Sequence, residues 1–306
     1  MSVTGVAVMA YGTPSRREDI MAYYSDIRRG RPPTEEQLAD LTRRYDAIAT
    51  DGGDSLSGLT ERTERQRVAI AAELEARAPG RYAVEAGLRH VEPSIEATIG
   101  SLAARGVERI IGLVLAPHYS SMSIAAYLGR ASAAAADSGV AFTGIDSWAL
   151  EPAYLEFLAG DIRRRLTTMP ASTHVAFTAH SLPERILAQS DPYPDQVRAT
   201  ASAAAAAAGL DPDRWSVGWQ SAGRTPEPWI GPDILAVIDE LAARDSTAGL
   251  LVCACGFVAD HLEVLYDLDI EASQRAAARD LAFQRTTSVN DDRAVMAALA
   301  GLVMRQ

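Results

Sequence analysis

The sequence contains no lysine; all 29 of its basic residues are arginine. A lysine Schiff base and a P-loop lysine are therefore excluded. The two cysteines, Cys253 and Cys255, are too few for a disulfide framework, and two apart in a predicted strand they share a face. No apolar run approaches the roughly 20 residues that cross a bilayer. The first strand opens at Gly5 with no basic region or cleavage site before it, so a cytoplasmic location is expected. Positive charge is in deficit, with 29 basic residues against 40 acidic and a net charge of −11. That balance argues against nucleic acid and against an anionic membrane surface as partners.

What is present is an α/β pattern. Apolar runs at 5–11, 109–116, 174–179 and 248–254 predict buried strands, with weaker candidates at 82–87, 141–146 and 214–219. Amphipathic stretches at 61–77, 92–105, 152–167, 196–208, 231–244 and 290–303 predict helices. Ala203 to Ala208 reads as a plain solvent-facing helical run. The two halves resemble each other. VAVMAYGTP from Val6 aligns with VAFTAHSLP from Val175, which makes Tyr11 and His180 equivalent, and LAARGVERIIGLVLAP from Leu102 aligns with LAARDSTAGLLVCACG from Leu241. The fold expected is two similar Rossmann-like domains, 1–170 and 171–306, whose parallel sheets face a central cleft with Tyr11 and His180 on opposite walls. Ligands bind at the carboxyl ends of such strands. The last helix has the option of crossing back onto the first domain.

Two segments carry chemistry. TAHSLP at 178–183 ends a buried run on His180. GFVADHLEVLYDLDIE at 256–271 leaves another such run and becomes a helix with Glu263, Asp267 and Glu271 at four-residue spacing, on one helix face. A like-charged ladder is unfavourable unless cations or protons offset it, so these residues point to divalent-metal or proton traffic. His118, after Pro117 at another strand end, is a candidate for the same cleft. His174 and His261 read as structural, Trp219 and Trp229 as either pocket wall or core, and Asp191-Pro192-Tyr193-Pro194 as a turn before a helix. The first half also holds an extra segment at about 15–57, rich in arginine and tyrosine (Tyr23, Tyr24, Arg28, Arg29, Arg43, Arg44). Arginine forks match carboxylates and tyrosine offers a flat apolar face, so this insertion suits a planar ligand bearing carboxylates, or else is an exposed helical hairpin.

MAYGTP, YYSDIRRGRPP, GLRHVEPSIE, LAPHYSS, TAHSLPE, DPYPDQ, VGWQSAGRTPEPWIGPD and GFVADHLEVLYDLDIE resemble, in order and spacing, the ferrochelatases, most closely the soluble Gram-positive type acting on coproporphyrin III. The resemblance runs from the first strand to about Glu271. It implies a class II chelatase fold and a lyase of heme biosynthesis that inserts Fe2+ into coproporphyrin III to give coproheme. His180 and Glu263 resemble the pair that handles the metal and accepts pyrrole protons, with Asp267 and Glu271 as an outer acidic ridge completing the metal-handling set. Tyr11 resembles the residue facing the other side of the macrocycle. Arg28 or Arg29, Arg44, Ser55 and Tyr127 resemble propionate contacts, and His90 a histidine near the cleft.

Fe2+ is then a substrate, no permanent cofactor is implied, and two cysteines do not make the four-thiolate set of a [2Fe–2S] cluster. A monomer is expected. One departure is VCACGF, where Ala254 and Cys255 replace the proline and aliphatic residue usual before Gly256; this is expected to loosen that turn. The alternatives are a protoporphyrin IX ferrochelatase and a non-catalytic tetrapyrrole carrier.

Overall fold

The computed structural model describes residues 3–49, 56, 58–223, 225–244 and 246–306. Among the described residues eight strands form two four-stranded parallel sheets. The first contains β1 (Thr4–Ala10), β2 (Tyr82–Leu88), β3 (Arg109–Val114) and β4 (Ala141–Ile145), in the order β2-β1-β3-β4. The second contains β5 (Thr173–His180), β6 (Trp215–Gln220), β7 (Gly249–Cys253) and β8 (Ala282–Arg285), in the order β6-β5-β7-β8. The two orders are the same, which is the physical content of the repeat. The register differs from the sequence alignment by one residue. Thr4 pairs with Arg109 and Thr173 with Gly249, whereas the alignment from Leu102 and Leu241 matches Arg109 with Ala248.

The central strands are continuous apolar runs because both their faces are covered. Val6 to Met9 and Val175 to Phe177 have no exposed surface, as expected of parallel strands between helix layers. The chain divides into two compact units. One comprises Met1–Ala116, Met122–Ser147 and Asn290–Gln306, the other Pro117–Ser121 and Trp148–Val289. The first carries α1 (Ile20–Ile27), α2 (Glu35–Ile48), α3 (Gly58–Arg77), α4 (Ile95–Ala104) and α5 (Ile124–Asp137). The second carries α6 (Pro152–Leu166), α7 (Tyr193–Ala208), α8 (Ile234–Ala242), α9 (Leu262–Leu265) and α10 (Ser273–Ala277). The final helix, α11 (Arg293–Met304), belongs to the first unit and packs on α3. There Gln66 Nε2 donates to Asn290 O at 2.8 Å and Arg109 Nη1 to Gln306 O at 2.8 Å.

Side-chain caps set several helix starts a little later than periodicity alone predicts. Ser94 Oγ accepts from Ala97 N, Asp233 from Leu235 N, and Asp292 from Ala294 N and Val295 N, satisfying donors that have no partner inside the helix. The arginine- and tyrosine-rich insertion forms α1 and α2, the second opened by a Thr34–Gln37 capping box. The alanine run of α7 is not simply solvent-facing: Ala201, Ala204 and Ala205 are buried where α7 packs against α6. Small side chains there let two helices approach closely.

Candidate active site

His180 is the last residue of β5, at the carboxyl end of a fully buried strand. Its Nδ1 bonds the Ser181 carbonyl. A carbonyl only accepts, so Nδ1 carries the hydrogen and Nε2 is left to face Glu263 Oε1 at 3.5 Å. Glu263 has a second neighbour, since His261 Nε2 lies 3.5 Å from Oε2. His261 Nδ1 is in turn engaged at 3.0 Å by the Ala259 carbonyl. One carboxylate thus lies between two imidazoles whose other nitrogens are held by backbone. The sequence reads His261 as structural; the structure places it beside Glu263, two residues away in the chain.

Several elements converge to hold this arrangement. Gly256 N donates to Thr178 O at 2.9 Å, and a Cβ on Gly256 would sit 2.5 Å from Ala179 Cβ, so only glycine lets the β7 loop approach the end of β5. Buried Gln220 donates from Nε2 to Glu263 O at 2.8 Å, and Tyr193 Oη donates to His180 O at 2.9 Å. Trp229 and Phe257 flank the His180 ring, each with centroids 6.5 Å away. Trp229 is therefore beside the candidate site, while Trp219 is core at 2% exposure. The turn expected to be loosened is instead pinned. Cys255 N donates to Cys253 O at 2.8 Å and Tyr154 Oη to Cys255 O. Both thiols are buried, and burial pushes that of Cys253 up to about 12.

Beyond Glu263 the helix changes type. Asp267–Ala272 is a π segment, in which Glu271 N bonds Tyr266 O, five residues back, at 3.0 Å. Such single turns concentrate at functional sites. Asp267 is buried and accepts from Ser221 Oγ; Ser221 has a left-handed φ of 61°, uncommon for a non-glycine residue. Asp267 is thus a buried member of the acidic series that follows Glu263, while Glu271 is half-buried. Among the described residues no three or more His, Cys, Asp or Glu side chains are grouped so as to hold a metal ion.

Burial alone would lower the His180 pKa, but the Glu263 carboxylate outweighs it and holds the imidazolium up to about 9. Burial would raise Glu263, yet His180 first and His261 second keep it well below the usual carboxylate range. The two groups reinforce one another: the Glu263 carboxylate favours the charged form of His180, and His180 favours the carboxylate.

In the first unit, Tyr11 directly follows β1 and is 39% exposed. Its ring lies 4.4 Å from that of His90, whose Nδ1 bonds Asp26 Oδ2 at 2.6 Å. Gly12, at φ 81°, is needed there because a Cβ would meet Val91 at 2.6 Å. The Arg28 guanidinium lies 5.8 Å from the centroid of Tyr24, and its buried Nε has no hydrogen-bond partner among the described residues. Arg29 adopts a left-handed φ of 58°. Arg44 pairs with Asp40 at 3.2 Å. Tyr127 is buried beneath the guanidinium of Arg89, 5.2 Å from its ring centroid; Arg89, inside GLRH, was missed as a candidate. Ser55 lies outside the described residues.

Elsewhere, His118 is buried with Nε2 2.9 Å from Thr200 Oγ1, and burial pulls its pKa to about 3; it is a neutral core residue. His174 bonds Ser216 Oγ at 2.9 Å, as a structural residue should. Asp191 does more than precede a helix: it accepts from Ser120 Oγ, from Ser121 N and Oγ, and from Tyr193 N.

The fold is that of a two-domain α/β chelatase. The sirohydrochlorin chelatase SirB from Bacillus subtilis subspecies spizizenii, solved with cobalt, superposes with a TM-score of 0.60 at 9% identity, covering 99% of this chain and 94% of that one. A family model described as Ferrochelatase matches residues 3–306, and the chain belongs to the ferrochelatase family. It is 41% identical over 308 residues to a coproporphyrin III ferrochelatase of Geobacillus kaustophilus, covering 99% of this chain and 95% of that one. It is 40% identical over 309 residues to a ferrochelatase of Herpetosiphon aurantiacus, covering 99% of each. The chain is thus a metal chelatase.

Proposed function

We propose that the protein inserts Fe2+ into coproporphyrin III, the iron becoming bound by all four ring nitrogens as the two pyrrole N–H protons leave, with no resident cofactor. The observation that carries this reading is the Glu263 carboxylate set between the Nε2 atoms of His180 and His261. An Fe2+ ion shedding water needs nitrogen or oxygen donors, and the departing protons need bases; this centre offers both in one place. Asp267 and Glu271, following along the π segment, are proposed to pass the hydrated cation towards Glu263. Because the resting pair already holds a proton on His180, the incoming cation and the pyrrole protons compete for the same atoms. Iron then enters as that proton is lost, and turnover depends on pH.

The first unit is proposed to hold the porphyrin, with Tyr11 against the macrocycle and Arg28, Arg29, Arg44, Ser55 and Tyr127 at the propionates. The unpartnered Nε of Arg28 supports its part. For Arg44 a propionate must take the place of Asp40. Coproporphyrin is preferred to protoporphyrin because the insertion offers arginine forks, which suit four carboxylates better than two. No helix among the described residues is long and apolar enough to cross a membrane. We also propose that the enzyme works as a monomer.

The test is anaerobic Fe2+ insertion followed by Soret absorbance, with coproporphyrin III and protoporphyrin IX supplied separately. Turnover of coproporphyrin alone is expected. Preference for protoporphyrin would overturn the substrate, and binding of both with metalation of neither would establish the carrier alternative.

A further inference from the structure

Arg285, the last residue of β8, spends its guanidinium on partners other than His180 and Glu263, yet it reaches both ends of the segment that carries the site. Its side chain is only 15% exposed. Nε and Nη2 bond the two oxygens of Asp269 at 2.6 and 2.9 Å. Nη1 lies 3.1 Å from Asp260 Oδ1 and donates to Thr286 O at 3.1 Å. Ser288 Oγ holds the same Asp260 oxygen at 2.9 Å. Asp260 immediately precedes His261, and Asp269 lies in the π segment between Asp267 and Glu271. Residues two apart on a helix do not face the same way, so the fork grips the segment from the side away from the acidic ladder.

We propose that Arg285 is a positioning residue for iron handling: by clamping Asp260 and Asp269 together it fixes the approach of His261 to Glu263 and locks the π register that aims Asp267 at Ser221. The physical reason lies in the geometry of the turn. A π turn holds one residue more than an α turn, and its relaxation to α would rotate the later residues by about 100° about the axis. That rotation carries the Asp269 carboxylate out of a planar two-point grip. A guanidinium resists it through two parallel bonds of fixed spacing, whereas an ammonium offers a point charge that follows the carboxylate round. Arg285 therefore acts through orientation as well as charge.

The inference rests on the proposed iron chemistry of Glu263 and Asp267, so its test has one readout independent of turnover. In the full-length protein, Arg285→Met and Arg285→Lys are compared with the parent by amide hydrogen exchange across 262–273. They are also compared by separate KM values for Fe2+ and coproporphyrin III. Arg285→Met is expected to accelerate exchange in that segment and to cost about 10–100-fold in kcat/KM for Fe2+, as loss of support behind metal-handling residues does, while the porphyrin KM is unchanged. Arg285→Lys should recover only part of this. Asp269→Asn, which leaves Arg285 its Asp260 partner, should move both readouts the same way and serves if Arg285→Met does not fold. Unchanged exchange in 262–273, or equal losses towards iron and porphyrin, would overturn the clamp. A parent protein that inserts no iron would overturn the catalytic reading instead, and the exchange data would still decide whether Arg285 locks the segment.

Discussion

Glu263 raises the pKa of His180, and that dependence can be measured at a single residue. The raised pKa of His180 means that its ion pair stabilises the fold fully below the ordinary histidine value of about 6.5 and that this contribution is lost as pH rises through about 9. With the neutral imidazole as the competent form, iron insertion should climb with pH over the same window. Glu263→Gln removes the leading cause of the upward shift and leaves burial, which acts downward and is the largest single cause, against the smaller upward pull of the Ser181 carbonyl and Asp267. The His180 ring should then titrate at or below about 6.5, by proton NMR of its Cε1–H, with insertion greatly reduced; a midpoint still near the parent value would show that Glu263 does not govern it. At this scale the sequence was informative about His180 and Glu263, each at the end of an apolar run with its own spacing signal. It was uninformative about His261, because a histidine two residues before a carboxylate has no periodic signature. Its role depends on how the chain leaves Ala259, which is a matter of tertiary geometry.

Among the elements, the loop after β7 and the helix that follows are the most constrained. Gly256→Ala would place a methyl group 2.5 Å from Ala179 Cβ and 2.6 Å from its backbone Cα, so the loop must move. Overpacking of this kind costs about 1–3 kcal/mol. Since the displaced loop leads directly to Phe257 and His261, insertion should fall by more than the loss of thermal stability alone explains. Wild-type kinetics in Gly256→Ala would show that the close approach has no bearing on the site. The central strands were readable because burial on both faces leaves long apolar runs. β8 was not, since Ala282–Arg285 is four residues long with a single large apolar side chain, Phe283. α5 escaped too, because its alanine-rich sequence carries little contrast between faces. The π segment could not have been anticipated: four-residue spacing keeps carboxylates on roughly one side in either helix type, so the pattern is the same while the backbone differs.

For the whole molecule, the internal repeat predicted the architecture better than any single element did, and the shared strand order is its basis. What the repeat could not say is which unit receives the end of the chain. α11 buries Val295, Met296, Leu299 and Val303 in the first unit, more than a hundred residues after β4, so that unit is complete only when the whole chain has been made. Leu299→Ala should cost about 2–5 kcal/mol of that unit's stability, visible as a lowered unfolding midpoint in urea; an unchanged midpoint would mean that α11 is only loosely associated with α3.

The way the two imidazoles are anchored has a consequence for proton flow. A histidine that relays protons takes one at one nitrogen and passes it on from the other, so it needs a vacant face at each end. In His180 and His261 the Nδ1 end is occupied by a backbone carbonyl, which leaves each ring a single doorway, Nε2, opening towards the carboxylate. Neither ring can serve as a through-conductor. A proton received there leaves by the same nitrogen, so each ring must unload before it can load again.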